Sequence, residues 1–115
     1  MPTVAIHCKT SISDGMGHVY RQINLANELK KNGWEVSFYI PHFAPAIDLL
    51  TQTDFIPVIT DPKSSVVEYF DKFFDFVILD IQDTTESLVY SVKTYTHHIA
   101  SFEDLGAGRN HVDIL

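Results

Sequence analysis

Cysteine is nearly absent from this chain: Cys8 is the single example in 115 residues. No intramolecular disulfide can form, and no zinc site can be built from cysteines. Basic residues are also scarce. Eight Lys and Arg stand against 15 Asp and Glu, a formal net charge of −7. That balance argues against a nucleic-acid partner and against an anionic membrane surface, both of which select for basic patches. No stretch approaches the ~20 apolar residues needed to span a bilayer. The opening Met-Pro-Thr-Val-Ala-Ile-His-Cys-Lys has no basic leader, and its apolar run is too short for a signal peptide. These absences together predict a soluble, reduced, cytoplasmic domain.

What is present is ordinary for a globular protein: 45% apolar and 20% charged residues. The length suits one domain with one core. Internal repeats, low-complexity tracts and linkers are not evident.

Short apolar runs alternate with helical patterns. Thr3 to Cys8 predicts a strand buried on both faces, and residues 9–17 lose periodicity in a loop carrying Ser, Asp and Gly. Val19, Ile23, Ala26 and Leu29 then form one stripe of an amphipathic helix, stopped by Lys30, Lys31, Asn32 and Gly33. Trp34 to Ile40 predicts a second strand. A short helix over Ala44 to Gln52, a strand over Phe55 to Ile59 and a helix over Ser64 to Phe73 follow. Phe76 to Ile81 is the strongest strand signal in the chain. Asp83-Thr84-Thr85-Glu86 resembles a capping box opening a helix to about Lys93, and Thr96 to Phe102 predicts a further strand. Such alternation means parallel βαβ units: an α/β fold with a Rossmann-like parallel sheet and helices on both faces. Val112 to Leu115 reads as a strand still in progress, so residues 1–115 are expected to be a single domain from the front of a longer protein.

Asp14-Gly15-Met16-Gly17-His18-Val19-Tyr20-Arg21 lies where the first strand's loop enters the first helix, the usual ligand position in an open parallel sheet. Gly15 and Gly17 allow close backbone approach, and a helix amino terminus favours anions. His18 stands at the helix mouth, and Arg21 follows on roughly the same face, able to meet a phosphate or carboxylate. The segment lacks the third glycine of a dinucleotide fingerprint, since Tyr20 occupies that place, and it lacks the Gly-Lys-Ser/Thr of a Walker loop. Tight-turn chemistry alone explains the glycines equally well.

Asp80, ending the strong strand, also stands where ligands bind; it either contacts a ligand or receives hydrogen bonds from the neighbouring loop. Asp83 and Glu86 read as capping residues, and Asp80 with Asp83 lacks a third ligand for a metal. His97 and His98 point to opposite faces of a strand and are expected to be structural. Cys8 reads as a small buried residue rather than a nucleophile. His42 follows a strand end, and Glu103 to Gly108 follows another. Phe70, Phe73, Phe74 and Phe76 read as core, Lys30 and Lys31 as a solvated helix end.

Gly-Met-Gly-His-Val-Tyr-Arg at 15–21, Ile-Asn-Leu-Ala-Asn-Glu-Leu at 23–29 and Gly-Trp-Glu-Val-Ser-Phe at 33–38 resemble one family. It is the spore-coat polysaccharide biosynthesis and pseudaminic acid pathway sugar-nucleotide hydrolases, relatives of two-domain GT-B glycosyltransferases. The resemblance continues at Phe76 to Asp80, at Ser101-Phe102-Glu103-Asp104-Leu105-Gly106 and at His111 to Leu115. It implies inverting hydrolysis of a UDP-linked amino sugar with release of UDP and without a cofactor or metal. His18 matches the family histidine and takes the implied role of general base. Asp14, Gly15, Gly17, Arg21 and Asp80 are the candidate substrate contacts beside it, and a carboxyl-terminal domain, absent here, is the implied nucleotide holder. Lys9 stands where the family often has an acid, and Asp80-Ile81-Gln82-Asp83 lacks the tyrosine that commonly follows the strand. A glycosyltransferase using His18 to deprotonate an acceptor hydroxyl, or a non-catalytic domain that binds a ligand or partner, remains the alternative.

Overall fold

The structure, a computed structural model, describes residues 1–9, 16–81, 84–102, 108 and 111–113 of the chain. Its elements run β1 (Thr3–Cys8), α1 (Gly17–Lys31), β2 (Glu35–Pro41), α2 (Ala44–Gln52), β3 (Val58–Thr60), a 3-10 turn (Val66–Tyr69), β4 (Phe74–Asp80), α3 (Glu86–Lys93) and β5 (Thr96–Ser101). The five strands are all parallel in the order β3-β2-β1-β4-β5, which makes the fold a Rossmann-like α/β sheet.

Each face of the sheet has its own core, because residues along a strand alternate sides. Val4, Ile6 and Cys8 of β1 pack with Val19, Ile23 and Ala26 of α1 and with Ala46 and Leu50 of α2. Ala5 of β1 and Val77 and Leu79 of β4 pack instead with Val89 and Val92 of α3 and with Val66 of the 3-10 turn. The central strands are therefore apolar on both sides, the pattern that Phe76 to Ile81 displays in the sequence. Gly33 ends α1 with φ +87°, a left-handed conformation that only glycine adopts without strain.

Three expectations need correction. The strand expected at Phe55 to Ile59 is the three-residue β3 at Val58–Thr60. Phe55 instead caps the end of α2: its amide donates to Leu50 O, and its ring meets Phe38 edge-on at 5.1 Å. The helix expected at Ser64 to Phe73 is one 3-10 turn. Val66 and Phe70 have helical spacing, but Phe70 swings into an edge-to-face cluster with Tyr39, Phe74 and Tyr95, and that cluster sets the path of the chain. Phe73 is 50% exposed and lies against His97, so of the expected aromatic core only Phe70 and Phe74 are buried. Phe76 is half-buried and lines a surface groove.

Smaller differences occur at two ends. The residue that caps α3 is Thr85, whose hydroxyl accepts from the Leu88 amide; Asp83 lies outside the described residues. Val112 and Asp113 are not in a strand, and residues 114–115 lie outside the described residues. Asp113 nevertheless docks on the β5 edge, donating its amide to Ile99 O and accepting the Ile99 amide on Oδ2, both at 2.8 Å.

Candidate functional site

β1 and β4 are neighbours that send their connections to opposite faces, α1 on one and α3 on the other. The carboxyl ends of two such strands frame the crevice where open α/β sheets bind ligands. Cys8 and Asp80, the last residues of the two strands, are register partners, and the Lys9 amide donates to Asp80 O at 3.1 Å. Asp80 thus sits at the switch point with its side chain on the α1 side.

The first turns of α1 close over it. His18, Arg21 and Gln22 are spaced i, i+3 and i+4, which brings all three side chains to one face of the helix. His18 Nδ1 lies 2.7 Å from Asp80 Oδ1. Arg21 forks the carboxylate, Nε donating to Oδ2 at 2.7 Å and Nη2 to Oδ1 at 2.5 Å. Gln22 Nε2 donates to Oδ2 at 2.9 Å. The Asp80 side chain is 0% exposed, that of His18 13% and that of Arg21 32%. Phe102 lies beneath the guanidinium, 5.4 Å from ring centroid to Cζ.

These contacts fix protonation. Burial raises the carboxyl pKa of Asp80, but the hydrogen bonds from Arg21, Gln22 and His18 outweigh it and hold Asp80 below the usual carboxylate range. A carboxylate only accepts, so His18 Nδ1 must carry its proton and donate to Oδ1. The 3.2 Å approach of Arg21 Nη2 to that same nitrogen is then two donors converging on one oxygen rather than a bond between them. In neutral His18 the lone pair consequently resides on Nε2, which has no hydrogen-bond partner among the described residues. Chemically, such an arrangement can serve as an oriented base, because a buried carboxylate sets the imidazole's tautomer and angle.

The other candidates fall in different places. Gly17 begins α1 and is exposed; a methyl there would meet nothing within 4 Å, so packing does not require glycine. Asp14 and Gly15 lie outside the described residues, as do Asp83 and Glu103 to Ala107. Cys8 is fully buried, and burial with the nearby Asp80 charge pushes its thiol well up, so it is no nucleophile. His97 and His98 are exposed on the edge strand, on opposite faces, each ring against a phenylalanine, Phe73 and Phe76. His42 is exposed beyond β2, and Glu86 lies 3.8 Å from His111. Among the described residues no group of three or more His, Cys, Asp or Glu could hold a metal, and no helix is long and apolar enough to cross a membrane.

Gln22 is the member of the site that the sequence reading missed. It is fully buried, and its Oε1 has no hydrogen-bond partner. The available signal was its position: a polar residue four after His18, flanking the apolar stripe of Val19, Ile23 and Ala26. His7 was missed as well. Its Nδ1 lies 2.9 Å from Tyr39 O, and burial lowers its pKa despite that contact.

Compared with known proteins, the chain matches no family model, no curated protein and no solved structure.

Proposed function

We propose that His18, oriented by Asp80, is a general base, and that the protein takes part in inverting hydrolysis of a UDP-linked amino sugar in surface-polysaccharide or nonulosonic acid biosynthesis in the cytoplasm. The observation that carries this reading is the 2.7 Å contact between His18 Nδ1 and a fully buried, ionised Asp80 at the carboxyl end of β4. Nε2 would take a proton from water as the water oxygen attacks the anomeric carbon. The bond from that carbon to the diphosphate oxygen breaks as UDP leaves. The choice of UDP-sugar rests on the resemblance at residues 15–38; in that reading this domain is the amino-terminal half of a GT-B enzyme and has little turnover without its partner domain.

Two measurements test the proposal. Imidazole 15N shifts should report the Nδ1–H tautomer of His18 in the wild type and a mixture of tautomers in Asp80→Asn. A tautomer mixture already present in the wild type would remove Asp80 from the mechanism. Amide shifts on adding a UDP-linked N-acetylated amino sugar should centre on Gly17, His18 and Ile81, and their absence at millimolar ligand would sink the substrate assignment. In the active assembly, His18→Gln should lower kcat by about 10²–10⁴-fold, the usual worth of a general base.

A second reading is favoured by one feature. Val4, Leu25, Trp34, Phe76, Ile78 and Ala100 line an apolar groove of about 270 Å3 on the α1 side of β4 and β5. Exposed apolar surface of this kind suits a domain that binds a partner rather than a substrate. Self-association in sedimentation velocity, abolished by Leu25→Glu, would support that reading over catalysis.

A further inference from the structure

A second cleft crosses the carboxyl ends of the strands. It starts at Ile81, one residue beyond Asp80, and passes the ends of β1, β2 and β3 at Cys8, Pro41 and Thr60, enclosing about 330 Å3. His7 and Ser64 line this hollow and also an adjoining one of about 390 Å3, which opens toward α3 between Lys63, Ser65, Thr85 and Ser87. The two hollows adjoin at His7 and Ser64. Alternation along β1 puts His7 on the side of Ala5, facing α3, whereas Cys8 and Asp80 face α1. Taken together as the cleft, the two adjoining hollows reach from the switch point to the side of the sheet away from His18.

Its lining has a definite chemistry. Ser64, Ser65, Thr85, Ser87 and Ser91 contribute hydroxyls, His7 an imidazole and Lys63 an ammonium, with a second ammonium from Lys9 at the Ile81 end. Among the described lining residues the one carboxylate, exposed Asp61, accepts the Lys63 amide on Oδ1 at 2.9 Å. Among the described residues, no phenylalanine, tyrosine or tryptophan lines either hollow. A sugar ring would lack the aromatic platform on which it stacks.

Lys63 decides the sign of the ligand. The chain has only eight Lys and Arg against 15 acids, and most of the described cations are engaged. Arg21 grips Asp80, Lys31 pairs with Glu28 and Lys72 with Glu35, Lys30 and Lys93 lie over the rings of Phe55 and Tyr90, and Lys9, at the Ile81 end of the cleft, is also engaged. The Lys63 ammonium has no carboxylate or ring partner among the described residues. An ammonium without an ion-pair partner among the described residues, in a hollow lined by hydroxyls, offers an anion a charge and hydrogen-bond donors together.

We propose that this cleft is a phosphoryl-binding subsite, in which Lys63 supplies the charge and the hydroxyls of Ser64, Ser65 and Ser87 donate to the phosphoryl oxygens. A phosphoryl group presents three strong acceptor oxygens and close to two negative charges, which matches several convergent hydroxyls and one ammonium better than a two-oxygen carboxylate does. The inference goes beyond the reading of His18 and stands whatever chemistry the dyad performs.

The test is a titration of the 15N-labelled 115-residue protein with inorganic pyrophosphate at low salt, followed by amide shifts. Saturable shifts at His7, Lys63, Ser64, Ser65 and Ser87 are expected. Lys63→Gln should weaken binding by about tenfold, the worth of one charge-assisted contact, whereas Lys93→Gln, an equal change in net charge elsewhere, should leave it unaltered. Equal weakening by both substitutions would reduce the effect to general electrostatics and overturn the subsite. So would shifts confined to Gly17 and His18, which would place the phosphoryl group at the dyad instead, or no saturable response at millimolar pyrophosphate.

Discussion

Asp80 is held by three side chains from α1, and its removal shows what each of them requires. Asp80→Asn keeps the shape but replaces one acceptor oxygen with a donor that faces the donors of Arg21, Gln22 and His18. Breaking a fully buried ion pair from one side costs about 3–5 kcal/mol. Arg21 keeps a third of its side chain in solvent, so the expected loss is smaller, about 2–3 kcal/mol in urea unfolding. The pH dependence has a fixed sign. The folded-state pKa of Asp80 is depressed, so its stabilisation is present above its ordinary value of 3.8 and is lost as pH falls through the folded value. His7 acts in a different window. Burial lowers its pKa below 6.5, so the unfolded chain binds more protons than the folded one as pH drops under that value. Unfolding free energy should accordingly decline between pH 7 and pH 5, and His7→Leu should flatten that decline while leaving the more acidic limb, set by Asp80, in place. An unchanged slope in the variant would assign the proton uptake to another group.

At the scale of elements, the ends of α3 and the link before β4 separate what local sequence determines from what packing determines. Thr85→Ala removes the hydroxyl that accepts the Leu88 amide, and the expected cost is about 1 kcal/mol, read as a shift in the urea midpoint with an unchanged slope. That cap sits in a segment the sequence marked as a helix start, although the capping residue itself was misplaced. β1, α1 and α2 were equally legible, because their apolar residues recur at strand or helix period and Gly33 ends α1 where a stop was expected. Phe55 and Phe70 were not legible. Each is an apolar residue at a plausible position in a regular element, yet each is placed by a ring contact with a residue far away in sequence, Phe38 for the first and Tyr39 for the second. Contacts of that kind override local periodicity, and no window of neighbouring residues contains them.

At the scale of the whole molecule, strand order explains why the candidate site was half visible. His18 and Arg21 could be placed on one helix face from spacing alone, and Asp80 at a strand end from the apolar run before it. That they meet, across 62 positions between His18 and Asp80, depends on β4 lying beside β1, with β2 and β3 on the other side. Among the described residues the same order leaves a gap in coverage. α1 and α2 shield β1 and β2 on one face, while the α1-side surface over β4 and β5 forms the apolar groove floored by Ile78 and Ala100. Ala100 is 5% exposed, which in a closed core would make a larger side chain costly, about 1–3 kcal/mol for overpacking. Here the Cβ of Ala100 borders roughly 270 Å3 of open volume, so Ala100→Leu has room to extend into it. The variant should unfold within about 0.5 kcal/mol of the wild type and should bind less of an apolar fluorescent dye such as ANS in its native state. A loss in the overpacking range, with dye binding unchanged, would mean that the groove closes in solution and that the floor at Ala100 belongs to the core.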